Sequence, residues 1–182
     1  MNLLEKLKTS HKTGRPVFWD GAMGTQLIAA GLTGKIPEFW NLEKPDAIRK
    51  IHEDYINAGS EVIQVNTFGA NRLKLKSAGL EDQLQPINSS AARAACEAAA
   101  GKALVAGDLG PTGEMMTPMG NLEPDQTEGV YREQGSILAG AGVDLFTRPK
   151  WIAEAKDDFV KKLDGRTYQC GVPDSLRPPA SR

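Results

Sequence analysis

The chain of 182 residues has few of the residues that build metal and redox centres: two cysteines and two histidines. Cys96 and Cys170 stand far apart and form no Cys-x-x-Cys or Cys/His cluster, so neither signals a metal by itself. Cys96 lies in an alanine-rich helical stretch, where a small buried thiol is the expected reading. His11 and His52 have no ligand partner at metal spacing and are expected to be solvated. No apolar run approaches the roughly 20 residues that span a bilayer. Residues 1–13 form a lysine-bearing amphipathic stretch without the apolar segment of a secretory signal. A cytoplasmic location with reduced thiols is the expectation. A formal net charge of −1 gives no electrostatic reason to expect nucleic acid or a membrane surface as partner. Phosphate chemistry lacks its signatures too. Gly107-Asp108-Leu109-Gly110-Pro111-Thr112-Gly113 has no Gly-Lys-Ser/Thr ending, and no Gly-x-Gly-x-x-Gly follows a strand.

What is present is an alternation. Hydrophobic residues make up 40% of the chain, which suits one globular domain with a buried core. Short apolar runs at 17–19, 62–65, 103–106 and 143–146 recur every forty residues or so, separated by helical pattern. That spacing predicts βα units around a parallel sheet. Helices are expected over 25–30, from Pro45 to a stop at Gly59, over 71–78, 87–100 and 125–141, and over 150–163. Residues 165–182 run through Tyr168-Gln169-Cys170-Gly171-Val172-Pro173 into an end rich in proline, arginine and serine, and that end is expected to be disordered. The domain reading is therefore 1–146 for the βα body, then 147–182 for a divergent helix and tail.

Polar and glycine residues gather where the strands should end. Asp20-Gly21-Ala22-Met23-Gly24-Thr25 follows the first run, Asn66-Thr67-Phe68-Gly69-Ala70-Asn71 the second, and the Gly107–Gly113 stretch the third. Ligands of parallel α/β folds bind at those ends, where loops converge and helix N-termini point outward. Asp20, Gly21, Ala22, Asn66 and Thr67 are accordingly the candidate binding residues, although each also suits a tight βα turn. Thr25 suits a helix N-cap. Trp19, Phe39 and Trp40 are the aromatics that could box a quaternary ammonium group, with core burial as the plainer reading. Met115, Met116 and Met119, in a long loop, are expected to serve as loop packing.

With these residues in view, the chain resembles the amino-terminal half of the homocysteine S-methyltransferase family. That family includes the homocysteine domain of methionine synthase and the betaine–homocysteine methyltransferases. The resemblance rests on the Asp20–Thr25 motif, Pro37-Glu38-Phe39-Trp40-Asn41, the helix opening at Pro45, residues 58–75 and residues 105–122, in order at natural spacing. It implies a (β/α)8 TIM barrel, here truncated to about four βα units, since such barrels run to about 250 residues. It implies methyl transfer from betaine or a similar donor to homocysteine, giving methionine, with Asp20, Gly21, Ala22, Asn66 and Thr67 around the amino acid. Family members use zinc, held by three cysteines of the carboxyl half, and this chain lacks that set. They also carry a glutamate at the end of the fourth strand, where this chain reads Phe146-Thr147-Arg148-Pro149. No catalytic or metal residue is therefore assigned, and the chain alone is expected to be inactive. The alternative is a non-catalytic remnant, or a half-barrel that folds only with a partner chain.

Four parallel strands cannot close as eight do, so edge hydrogen-bonding groups and an apolar face are expected to stay bare. The isolated chain is predicted to self-associate, to be partly molten or to be poorly soluble unless a complementing half-barrel is present. Sedimentation velocity with a thermal melt checks this; a stable monomer with one sharp transition would overturn it.

Overall fold

The computed structural model describes residues 3–147 together with 162–163, 166–167 and 169–170. In chain order the elements are α1 (Leu3–Thr13), α2 (Met23–Ala29), α3 (Trp40–Glu43), α4 (Pro45–Asn57), β1 (Val62–Gln64), α5 (Arg72–Ser77), α6 (Leu84–Ala99), β2 (Leu104–Asp108), α7 (Pro124–Gly140) and β3 (Leu145–Thr147). Three two-residue strands follow: β4 (Lys162–Leu163), β5 (Arg166–Thr167) and β6 (Gln169–Cys170). The main sheet runs β1-β2-β3-β6 with every pair parallel, so the strands lie in sequence order. Right-handed crossovers between sequential neighbours stack their helices on one face of a sheet, which is the winding of a barrel wall.

The two faces differ accordingly. On the helix side Ile63, Val65, Val105 and Phe146 pack against Ala91, Ala92, Ala95 and Ala99 of α6 and Tyr131, Leu138 and Ala139 of α7, all buried. Alanine along α6 lets that helix lie close to the strands, because no longer side chain holds it off. Gly107 serves the same packing: a Cβ there would meet the Phe146 ring at 2.9 Å. The opposite face carries Val62, Ala106 and Leu145, with Val17 and Leu104 against them. Alternation along β2 therefore sends Leu104, Ala106 and Asp108 to the side away from the helices.

Several local expectations change. The run at 17–19 makes one isolated bridge, Trp19 to Val62, rather than a strand; Phe18 is 52% exposed and anchors the edge through its carbonyl. Thr25 does not cap α2, which starts two residues earlier behind Ala22, because the turn after Asp20 tightens directly into helix. Met115 and Met119 are 60% and 78% exposed, so they are not loop packing; the loop holds itself by backbone bonds from Met119 and Gly120 to the Met116 carbonyl. Of the helix expected over 150–163, only Lys162–Leu163 are described, and they pair as strand with Arg166–Thr167. The rest of that helix, and residues 171–182 of the expected disordered end, lie outside the described residues. Among the described residues no helix is long and apolar enough to cross a membrane.

His52 is the largest departure. It is fully buried rather than solvated, because α4 turns it inward beside Ile48 and Ile51, and neither ring nitrogen has a partner. Burial pushes its pKa down to about 4 and keeps it neutral. A folded pKa below the unfolded value of about 6.5 leaves stability intact above pH 6.5 and erodes it as pH falls towards 4. Wild type is predicted to lose about 2 kcal/mol through this group between pH 8 and pH 5. Asp20 and Asp108, whose pKa values are raised, act in the opposite sense over that range. Urea titrations of wild type and His52→Leu at both pH values isolate the histidine; equal pH dependence in the two would refute the assignment.

Candidate functional site

The carboxyl ends of β1, β2 and β3 are drawn together by side chains bonding to backbone. Asp20 Oδ2 accepts the Gln64 N–H at 2.8 Å, which seats the Asp20 turn on the end of β1. The Thr67 hydroxyl donates to the Asp108 carbonyl at 2.9 Å, tying the loop after β1 to the end of β2. The Thr147 hydroxyl donates to Asp108 Oδ1 at 2.9 Å, directly across the β2–β3 register. Asp20, Thr67, Asp108 and Thr147 thus share one end of the sheet.

The loop after β1 passes through the interior, and amide side chains satisfy it. Asn66 Nδ2 donates to the Pro37 carbonyl at 2.9 Å and to Asn41 Oδ1 at 2.8 Å, and Asn41 Nδ2 returns a bond to the Asn66 carbonyl at 2.8 Å. Gln134 of α7 donates to the Thr67 carbonyl and to Asn88 Oδ1, while Asn88 donates to the Ala70 carbonyl. The Asn66 and Thr67 side chains are therefore engaged with the protein itself, and they shape the floor of the site. Glu38, also buried, accepts the Gly69 N–H at 2.6 Å; a Cβ on Gly69 would meet that carboxylate oxygen at 2.8 Å. Sequence reasoning passed over Glu38, Asn41 and Gln134, since only their positions in the fold aim them at this loop.

Two carboxylates differ electrostatically from ordinary surface acids. Burial pushes Asp20 up to about 6, and the neighbouring charge of Asp108 adds to the rise against the bond from Gln64. Burial likewise pushes Asp108 up to about 6, with the Glu38 charge adding and the Thr147 bond opposing. Asp20 Oδ1 is enclosed and has no donor. Gly21 and Ala22 are exposed beside it, and the Tyr55 hydroxyl approaches the Ala22 carbonyl at 3.4 Å. The arrangement can take a small cation against Asp20, with accessible backbone next to it.

The aromatics form no box. Phe39 and Trp40 meet edge to face with centroids 6.0 Å apart, and Lys35 sits over the Phe39 ring at 3.6 Å. Trp19 pairs with neither among the described residues. Nor do these residues fit a zinc ion. Cys96 is half-buried on the helix side of the sheet, its thiol near the Ala141 and Gly142 carbonyls, and burial raises its pKa. Among the described residues no three His, Cys, Asp or Glu side chains converge as a metal site.

Removing the Asn66 amide would leave the buried Asn41 Oδ1 without its donor and would break the part-buried bond to the Pro37 carbonyl. Asn66→Ala is predicted to cost about 2–3 kcal/mol of stability, measured by chemical denaturation. A loss below about 0.5 kcal/mol would show that the amide pair does not hold the loop.

Comparisons with known proteins show the family and the fold. The sequence profile described as homocysteine S-methyltransferase matches residues 17–149. Methionine synthase of Mycobacterium tuberculosis is 32% identical over 145 residues, covering 71% of this chain and 12% of that protein. Betaine–homocysteine S-methyltransferase 1 of Xenopus tropicalis is 30% identical over 152 residues, covering 79% and 36% respectively. The chain thus spans between about an eighth and about a third of these relatives' lengths. The homocysteine methyltransferase MmuM of Escherichia coli, solved in a metallated form among others, has the same fold over 76% of this chain and 55% of its own (TM-score 0.62, 24% identity). The chain belongs to the homocysteine S-methyltransferase family.

Proposed function

We propose that these strand ends bind homocysteine by its amino-acid end, within a protein that transfers a methyl group from betaine or a similar donor to give methionine. The enclosed, donorless Oδ1 of Asp20 carries the reading, because a buried acceptor without a donor is costly and an ammonium group would satisfy it. Gly21 and Ala22 offer backbone at close range, and Asn66 and Thr67 hold the loop that the amino acid would rest on. A barrel completed by further βα units would enclose this end.

Sulfur activation is a separate task. A thiol with a pKa near 8.5 is a weak nucleophile at neutral pH until something draws off its proton. The two cysteines of this chain cannot supply a three-thiolate set, and no step is assigned to them. The reading for this chain alone is therefore recognition of homocysteine rather than turnover.

Calorimetric titration with L-homocysteine tests the proposal. Wild type is expected to bind, and Asp20→Asn to weaken binding by about tenfold or more, the worth of one charge-assisted bond. Absence of binding to wild type, or equal binding by the variant, would overturn it.

A further inference from the structure

We propose that Asp108 is a second binding residue for the ammonium group of the amino-acid substrate, holding it from the β2 side while Asp20 holds it from the β1 side. The inference rests on the reading of the strand ends as an amino-acid site and adds the residue that would make that site selective for the amine.

The geometry singles Asp108 out from the other acids nearby. It is the last residue of β2, on the face that carries Leu104 and Ala106 and away from the helix layer. Thr147, opposite it in register, donates to Oδ1 and so fixes the carboxylate plane. Among the described residues Oδ2 takes no hydrogen bond, and it is not among the enclosed oxygens without a partner. Glu38 adds its charge to the same cluster, but it is 5% exposed and lies on the loop after β1, where one of its oxygens accepts the Gly69 N–H.

Charge balance supplies a second argument. The charge of Asp108 bears on Asp20 and the charge of Glu38 bears on Asp108, and no cationic side chain offsets either aspartate among the described residues. Asp20 also keeps an enclosed oxygen with no donor. Neighbouring carboxylates in a poorly solvated place cannot all ionise cheaply; they retain a proton or take up a cation. A primary ammonium has three donors, enough to serve an oxygen of each carboxylate. Its arrival would displace the retained proton, which leaves to solvent.

The test uses the intact chain, L-homocysteine and 4-sulfanylbutanoate, the same thiol acid without its amino group. Asp108→Asn is expected to weaken L-homocysteine binding about tenfold or more while leaving 4-sulfanylbutanoate within about twofold of wild type. Equal loss for both ligands would mark Asp108 as structural, and no loss for either would remove it from the site; both results overturn the proposal. Wild type that binds neither ligand would instead fail the amino-acid reading itself. Calorimetry at pH 6 in buffers of different ionisation heat gives an independent readout. Wild type should release protons on binding L-homocysteine at pH 6 but not at pH 8, and 4-sulfanylbutanoate should release none at either. Thr147→Val keeps both carboxylates, so should Asp108→Asn fail to fold it serves in its place. It is expected to carry the proton release to higher pH, because the bond that favours the ionised form is lost. Release unchanged in Thr147→Val, or absent from wild type at pH 6, would sink the shared-cation model.

Discussion

A buried backbone loop has to find a donor for every carbonyl it carries inward, and the loop after β1 meets that demand with side-chain amides. Asn41 satisfies the Asn66 carbonyl, Gln134 that of Thr67 and Asn88 that of Ala70, while Asn66 itself satisfies Pro37. Asn71 extends the pattern by donating to the Pro111 carbonyl of the loop after β2. Each bond joins a different element to the same few residues, so α3, α6, α7 and both loops are held in one register. Net contributions of about 1 kcal/mol per bond are modest, yet an unmet buried carbonyl costs more than that, so the set is strongly coupled. Everything at the strand ends is positioned by this polar floor.

The site inherits its properties from that floor. Glu38 is brought onto the loop by the Pro37–Phe39 turn and accepts its Gly69 N–H, and only glycine leaves space for the contact. Gly110 is equally constrained, since a Cβ there would lie 2.0 Å from the Phe68 carbonyl. With Glu38 bonded to the loop and Thr147 bonded to Asp108, the acids divide into a structural one and two at the strand ends whose charge is not offset. Asp20 and Asp108 carry raised pKa values because burial outweighs the bonds they accept. The fold thus stores an unmet electrostatic demand where a ligand would enter.

Much of the fold was legible because its signals are local. Pro45 at the first helical position, Ile48 and Ile51 on one stripe and Gly59 at positive φ marked α4 within a residue or two. The alanines of α6 announced close packing, and the strand-end motifs located the loops that converge. What stayed hidden depends on distance in sequence. His52 is the exception: it stands four residues after Ile48 on the same apolar stripe, so the helical period does place it inward; the expectation of solvation weighed its polarity above its position. Asn66 looked like a ligand contact because its partners, Pro37 and Asn41, are 29 and 25 residues away. The segment at 17–19 has strand composition, but its single bridge to Val62 reflects a turn at Asp20 that composition does not encode. The motif resemblance named the family where periodicity alone stopped at a parallel α/β sheet.

The donor chemistry of the described strand ends divides the family reaction into two physical problems. Asp20, Glu38, Asp108, Thr67 and Thr147 bring hard oxygen groups, which suit an ammonium or a hydrogen-bonding polar end. None is a soft ligand of the kind that stabilises a thiolate. Cys96, the one thiol placed by the structure, lies across the sheet among the helices, with its pKa raised by burial and by the charges of Asp144 and Glu97. It has the wrong face and the wrong protonation state to help a sulfur nucleophile. Under the proposed reading, recognition of an amino acid and activation of its sulfur would draw on different walls of the fold. The strand ends described here carry oxygen groups suited to the first task, and their unneutralised carboxylates are what an ammonium group would offset.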